Sequence, residues 1–375
     1  MSWGAETLIG TVVSIKANYY SVQLEEIAEQ TLPNASFEEK PILLCIRRGL
    51  LKKLGQQIMV GDRVTVEEPD WQGRRGAIAS VHPRQTFLDR PPIANVDRVL
   101  LVFAIAEPNL DIYQLSRFLI KAELTGLGIT LCLNKCDLVS RDTKVRWQKR
   151  LLEWGYMPLM VSILDVAELP AALLTVLEGQ ITVLAGPSGV GKSSLTNRLI
   201  PAQNLRVNAV SGKLSLGRHT TRHVELYELP KGGYLADTPG FNQPDIVTTA
   251  EALGSLFPEI RQRLTNQHCQ FSNCLHRDEP GCVVRGEWER YEHYLLLLEE
   301  VTKQQQALLH KGEAETTEKV KMVEDGKILH EPKLEAKKYR RISRKTRNQA
   351  FQELCLDLSE IEDLEDLEDL EDLGR

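Results

Sequence analysis

Gly186-Pro187-Ser188-Gly189-Val190-Gly191-Lys192-Ser193, with Ser194 after it, fits G-x-x-x-x-G-K-[ST] at every fixed position. The apolar run Ile181–Ala185 before it reads as a strand buried on both faces, and Ser193–Leu199 after it reads as a helix. That setting gives the residues a physical task. Glycines let the backbone wrap close to phosphate oxygens, while N–H groups and the helix N-terminus supply positive field. Lys192 reaches the outer phosphates and Ser193 can hold Mg²⁺. A chance glycine-rich turn would need neither the strand nor the helix.

A phosphate loop does not choose between ATP and GTP, but two further motifs do. Asp237-Thr238-Pro239-Gly240 follows the extended run Gly233–Ala236 and fits D-x-x-G. Its carboxylate would reach Mg²⁺ through water, and the Gly240 N–H would sense the γ-phosphate. Asn134-Lys135-Cys136-Asp137 ends the apolar run Ile129–Leu133 and fits N-K-x-D. A carboxylate at Asp137 accepts both the ring N–H and the exocyclic amine of guanine, a donor pair that adenine lacks.

Smaller pieces join these. Gly217-Arg218-His219-Thr220-Thr221-Arg222 lies between the phosphate loop and Asp237, where a switch threonine should close over Mg²⁺ and the γ-phosphate. Thr221 is the first choice, and Thr220 stays open. Val161-Ser162 ends a strand after N-K-x-D, the place for a loop that supports guanine. Phe241 follows Gly240 where Ras-like enzymes carry a water-orienting glutamine. The expectation is slow intrinsic hydrolysis, with His219 as a candidate water-positioning group or a partner supplying what is missing.

The motifs stand in an unusual order, with N-K-x-D at 134 ahead of the phosphate loop at 186. All these loops lie at one end of a parallel sheet, so cutting and rejoining the chain elsewhere keeps the nucleotide site intact. The domain is therefore expected to be circularly permuted, in the order G4-G5-G1-G2-G3. Switch II then runs straight into the C-terminal module, which loss of the γ-phosphate would be expected to move.

Working outward, Val99–Ile105 and Ile129–Leu133 are continuous apolar strands, and helical patterns at Asp111–Leu124, Lys144–Trp154 and Val166–Leu177 fall between strands. Leu159–Val161 adds a further strand. The first 80 or so residues hold five short β-branched runs, Leu8–Ile15, Tyr19–Leu24, Pro41–Cys45, Val64–Val66 and Ala77–Val81, separated by turn signals. That spacing suits an OB-type barrel, with a small SH3-like barrel as the alternative. Arg84–Asn95, containing Arg90-Pro91-Pro92, reads as a linker. Beyond Gly240 a Cys/His cluster precedes a long helix expected over Gly286–Leu309.

Cys269-x₄-Cys274-x-His276-x₅-Cys282 offers three thiolates and an imidazole in fourteen residues. Four N/S donors with no open position suit a structural, tetrahedral Zn²⁺. His268 could stand in for His276, although its adjacency to Cys269 makes joint binding awkward.

The formal charge of −6 conceals an asymmetry. Asp357–Arg375 holds ten acidic residues and one basic one, so the remainder carries +3. Ala336–Arg347 holds seven Lys/Arg and no acid, and Ile361–Leu373 repeats Glu-Asp-Leu without an adequate apolar face. A charged tail, disordered or marginally helical, is expected over 311–375. No apolar run approaches the length of a membrane span, no signal peptide is evident, and the seven cysteines form an odd set. These features point to a cytoplasmic protein with no membrane partner. Arg47, Arg48, Lys52, Lys53, Arg74 and Arg75, with Trp71 to stack on a base, give the barrel an RNA-binding pattern that a solvated surface would share.

The arrangement of barrel, Asn134-Lys-Cys-Asp137, Gly186 to Ser194, Asp237-Thr-Pro-Gly240 and Cys269…Cys274-x-His276…Cys282 resembles the RsgA/YjeQ family of permuted GTPases. Arg90-Pro-Pro-Ile-Ala-Asn-Val-Asp97 and Gly217-Arg-His-Thr-Thr221 belong to the likeness, which spans about residues 8–305. It implies GTP hydrolysis to GDP stimulated by the small ribosomal subunit, late maturation of that subunit, a barrel touching rRNA, and a zinc-bearing C-terminal module. A monomer is expected. Arg222 stands where many members have a third threonine. The architecture is thus multidomain α/β: an OB-fold barrel at 1–85, the permuted GTPase domain at 86–245, a zinc-binding helical module at 246–310 and the tail. A P-loop kinase would have no use for Asn134 and Asp137. An RNA-binding scaffold with a merely structural nucleotide would have none for Asp237 and the switch threonines.

Overall fold

The computed structural model describes residues 8–25, 41–89, 91–163, 171–200, 224–237, 245–315, 318–322 and 328–332. Contacts divide the chain into Met1–Lys303 and Gln304–Arg375.

Alternating apolar residues build the N-terminal barrel. Its strands are β1 (Leu8–Lys16), β2 (Tyr19–Leu24), β3 (Ile42–Arg47), β4 (Arg63–Asp70) and β5 (Arg75–Val81), with α1 (Gly49–Lys53) between β3 and β4. β1 pairs antiparallel with β2 and β4, β2 with β3 and β4 with β5, while β3 and β5 run parallel, so the five strands close on themselves. Val12, Val22, Cys45, Val64, Val66 and Ile78 fill the interior, and α1 adds Leu51 to the same cluster. Closure leaves no barrel strand edge unpaired. The five expected strands are all present. α1 is too short at five residues for a helical period to register.

The stretch read as a linker is a structured junction. β6 (Phe87–Asp89) and β7 (Pro92–Ala94) form a hairpin. Arg84 Nε and Nη2 donate to the fully buried Asp62 carboxylate at 2.7 and 2.9 Å, and Asn95 Nδ2 donates to Gly61 O at 2.9 Å. Pro92 is tolerated because it is the first residue of its strand, a position open to proline.

The central sheet comprises β8 (Arg98–Ala104), β9 (Gly128–Asn134), β10 (Leu159–Met160), β11 (Ile181–Ala185), β12 (Glu225–Glu228) and β13 (Tyr234–Asp237), in the order β10-β9-β8-β11-β13-β12. All neighbours are parallel except β12, which runs antiparallel to β13. Four helices cover it: α2 (Ile112–Glu123), α3 (Arg141–Glu153), α4 (Ala171–Leu177) and α5 (Lys192–Leu199). Along β8 the side chains alternate between two cores. Val99, Leu101 and Phe103 join Leu115, Phe118, Leu119, Leu151 and Trp154 of the α2/α3 side. Leu100, Val102 and Ala104 join Leu173, Leu177, Leu195 and Leu199 of the α4/α5 side. Burial on both faces is why β8 reads as an unbroken apolar run. The helix expected from Val166 is described from Ala171, since 164–170 lie outside the described residues. β12, with only four residues, was not anticipated. It carries the sheet to the barrel through the Ser14–Glu225 bridge and a Gln23–Glu228 side-chain hydrogen bond.

The module after the sheet contains α6 (Ala250–Leu253), α7 (Pro258–Asn266) and α8 (Tyr291–Glu315). Its core of Leu253, Phe257, Ile260, Tyr294, Leu297 and Val301 takes in Ile120 from α2. Arg261–Glu123, Arg150–Glu289 and Arg117–Glu300 ion pairs fasten it to α2 and α3. α8 starts at Tyr291 rather than Gly286. Gly286 sits at φ +152°, and Arg290 is committed to Glu259.

In the second unit β14 (Glu318–Met322) and β15 (Ile328–Pro332) form an antiparallel pair inside the stretch expected to carry no folded element. Lys319-Val320-Lys321-Met322 alternates at the strand period, a short signal that the surrounding charge concealed. The Ala336–Arg347 run and the Glu-Asp-Leu repeat lie outside the described residues.

Candidate nucleotide site and metal cluster

The ends of β9, β11 and β13 bring the motifs to one edge of the sheet. β11 leads into Gly186–Gly191, and α5 starts at Lys192. Gly186 and Gly191 sit at φ +141° and +97°, which L side chains rarely adopt. A Cβ on Gly186 would lie 2.1 Å from Val102 O of β8, and one on Gly191 would lie 2.4 Å from Asn134 Nδ2. Those approaches are what the glycines permit. The loop packs directly against β8 and against the N-K-x-D asparagine. Asn134 Nδ2 donates to Val190 O at 2.8 Å, tying the two loops together. Lys192 Nζ donates to Gly186 O and Pro187 O at 2.8 and 2.5 Å, within its own loop. Ser193 and Ser188 are exposed, whereas Val190 anchors the loop in the α4/α5 core.

The N-K-x-D loop is built for rigidity. Lys135 takes φ +59°, and a 3₁₀ turn Cys136–Leu138 follows. Cys136 is buried, with its N–H donating to Val161 O at 3.2 Å and its thiol to Leu133 O at 3.0 Å. Burial pushes this thiol up, so Cys136 is a packing residue of the loop. Asp137 is exposed, and Ser162 Oγ donates to its Oδ1 at 2.6 Å. The sequence signal at Val161-Ser162 therefore marks a residue that holds the Asp137 carboxylate.

Asp237 ends β13, opposite Glu225 and in register with Leu184. Gly240, His219, Thr220 and Thr221 lie outside the described residues. The sequence reading missed one segment altogether. The turn after β8 places the Glu107 carbonyl under Lys135 Nζ, and Pro108 beside Gly189.

Cys269, Cys274, His276 and Cys282 come together, with their donor atoms all within 4.8 Å of one another. The three Sγ atoms each lie 3.5 Å from His276 Nδ1, and Cys269 Sγ is 3.9 Å from Cys282 Sγ. Supporting bonds fix the donors. The N–H groups of His276 and Arg285 point at Cys274 Sγ and Cys282 Sγ, Glu279 accepts from Leu275 N and Arg277 N, and Tyr291 and Tyr294 hold the carbonyls of His276 and Leu275. Such outer contacts orient metal ligands. Burial pushes the Cys274 thiol up to about 12 and holds His276 below the ordinary histidine value. The cluster therefore has a neutral imidazole and thiols that a metal ion would deprotonate. His268 is exposed and outside the cluster.

On the barrel, Arg48 is occupied by Glu67 and Glu68 at 2.7 and 2.6 Å, and Trp71 packs partly into the barrel core. Lys52, Lys53, Arg74 and Arg75 are exposed.

A parallel sheet with the guanine loop ahead of the phosphate loop, a barrel before it and a Cys₃His module behind it defines a circularly permuted P-loop GTPase. The profile described as RsgA GTPase matches residues 81–247. Proteins named small ribosomal subunit biogenesis GTPase RsgA from Trichormus variabilis and RsgA 1 from Nostoc sp. are 56% and 57% identical over 358 residues, 92% of this chain and 96% of each relative. The crystal structure of YjeQ from Thermotoga maritima is similar at TM-score 0.63 and 32% identity, covering 79% of this chain and 99% of that one. YloQ, a circularly permuted GTPase, is similar at TM-score 0.62 and 29% identity, covering 80% and 96%. The chain belongs to the RsgA GTPase family and is a GTP-hydrolysing enzyme. Among the described residues no helix is long and apolar enough to cross a membrane.

Proposed function

We propose that this GTPase acts in late maturation of the small ribosomal subunit, binding that subunit and its rRNA through the barrel; its relatives are named for biogenesis of the small ribosomal subunit. The observation that carries the site is the joining of the guanine and phosphate loops by the Asn134–Val190 hydrogen bond. Asp137, aimed by Ser162, reads guanine, with Asn134, Lys135 and Cys136 shaping its loop. Residues Gly186 to Gly191, with Lys192, Ser193 and Ser194, hold the phosphates. Mg²⁺, when bound with GTP, neutralises charge developing on the phosphate oxygens. Ser193 and Thr221 are the residues to hold it, and Asp237 and Gly240 those to sense the γ-phosphate. His219 is the candidate to position water.

The cluster fits zinc in particular. Zn–S bonds of about 2.3 Å and a Zn–N bond of about 2.05 Å at tetrahedral angles require N···S edges of about 3.5 Å and S···S edges of about 3.8 Å. The three N···S edges of 3.5 Å and the Cys269–Cys282 edge of 3.9 Å match, and the four donors, all within 4.8 Å of one another, fill a four-coordinate set. A structural role follows. The domain limits 1–85, 86–245, 246–310 and 311–375, a cytoplasmic location and a monomeric state complete the reading.

The test is GTP turnover by the purified protein alone, with small subunits and with large subunits, beside Asp137→Asn assayed with GTP and xanthosine triphosphate. Stimulation by small subunits only, with base preference switched in the variant, is expected. Equal turnover in every mixture would remove the proposed partner.

A further inference from the structure

The phosphate loop fixes one end of a nucleotide and Asp137 the other, so the sugar must lie beside whatever bridges them. Besides the Asn134–Val190 hydrogen bond, the turn after β8 touches both loops. Glu107 O accepts from Lys135 Nζ of the guanine loop, and a Cβ built on Gly189 would lie 3.8 Å from Pro108 Cδ. Glu107 holds φ +51°, a conformation uncommon outside glycine and found where surrounding structure imposes it. Its side chain is exposed, and among the described residues its carboxylate makes no hydrogen bond or ion pair. Lys135, the cation beside it, is spent on the carbonyl.

We propose that Glu107 recognises the ribose of the guanine nucleotide, its carboxylate accepting from the sugar hydroxyls. The chemistry matches, because a carboxylate is acceptor-only with two oxygens, and a vicinal diol offers two donors. An acidic residue performs the same task for the ribose of dinucleotides on other parallel sheets. The inference rests on assigning guanine to Asp137 and phosphates to residues 186–193.

The experiment is calorimetric titration of the full chain with GDP and with 2′,3′-dideoxy-GDP. The wild type is expected to prefer GDP by about tenfold, the worth of charge-assisted hydrogen bonds. Glu107→Ala removes that preference by weakening GDP alone, and Glu107→Gln, which keeps an acceptor, restores part of it. Alanine and glutamate bear the same cost at φ +51°, so the melting temperature of the nucleotide-free variant stays unchanged. Equal affinity of the wild type for both sugars, or equal weakening of both in Glu107→Ala, would overturn the proposal. Asp137→Asn, titrated with GDP and xanthosine diphosphate, tests the underlying assignment separately. A missing base switch with the sugar preference intact sinks the guanine assignment and leaves Glu107 standing.

Discussion

Replacing Glu259 by alanine should cost about 3–5 kcal/mol, because it strands a buried guanidinium. Arg290 is 0% exposed, and its Nε and Nη2 donate to the two Glu259 oxygens at 2.7 and 2.5 Å. Its Cζ lies 4.8 Å from the Trp154 ring, 5.0 Å from Phe257 and 5.6 Å from Tyr156. These faces attract a cation but accept little hydrogen bonding, and Nη1 already has no partner. Losing Glu259 therefore leaves a whole charge with neither water nor counter-ion. Against a stability of about 5–15 kcal/mol for a typical domain, the loss is large. The double variant Arg290→Met with Glu259→Leu removes the charge along with its partner, and should recover all but about 1 kcal/mol. Equilibrium urea unfolding followed by tryptophan fluorescence suits the measurement, since Trp154 packs on the guanidinium. A single variant within about 1 kcal/mol of wild type would show that the pair is not desolvated as argued. A double variant as unstable as the single one would assign the cost to packing rather than to stranded charge.

Gly191→Ala should abolish nucleotide binding while the protein still folds. Its Cβ would strike Asn134 Nδ2 at 2.4 Å, and φ +97° suits no side chain, so a fluorescent GDP analogue should show at least a hundredfold loss; near wild-type affinity would refute the contact. Zinc added to metal-free protein at neutral pH should release roughly three protons, one per thiol. His276 is held below the ordinary histidine value by burial, so it arrives neutral and contributes none; a weakly buffered stopped-flow trace with an indicator counts them. Binding should accordingly weaken as pH falls and protons compete for the thiolates. Chelation followed by an alkylating reagent should label Cys269, Cys274 and Cys282 under native conditions. Cys45 and Cys132, buried and pushed up to about 12, should label only in denaturant, as peptide mapping would reveal.

Local patterns carried much of this fold. Ile181–Ala185 is recovered without a shift, and Leu8–Lys16 extends its expected run by one residue, because burial on one or both faces writes itself into residue order. The Cys/His cluster was equally visible, since three cysteines and a histidine within fourteen residues suit a metal ion. What local pattern cannot hold is pairing across long separations. Nothing near Arg117 announces Glu300, and nothing near Glu107 announces Lys135 or Gly189. Short elements also escape, as α1 and β12 did, because four or five residues do not complete a period. The prolines at 91 and 92 argued for a linker because sequence alone does not show that Pro92 is the first residue of a paired strand.

The place of β8 in the chain has a consequence for synthesis. It lies at the middle of the sheet, yet its neighbour β11 begins at Ile181, about 80 residues later. At about 5–20 residues per second, the ribosome leaves one flank of β8 unpaired for roughly 4–16 s. During that interval Val99 to Phe103 offer a flat, wholly apolar border with its backbone N–H and C=O groups unfilled. The barrel and the guanine half of the domain can already be folded then, with α2 and α3 covering one face. Permutation thus lengthens the exposure of a central strand in the nascent enzyme, and a chaperone that reads extended apolar backbone would find its target there.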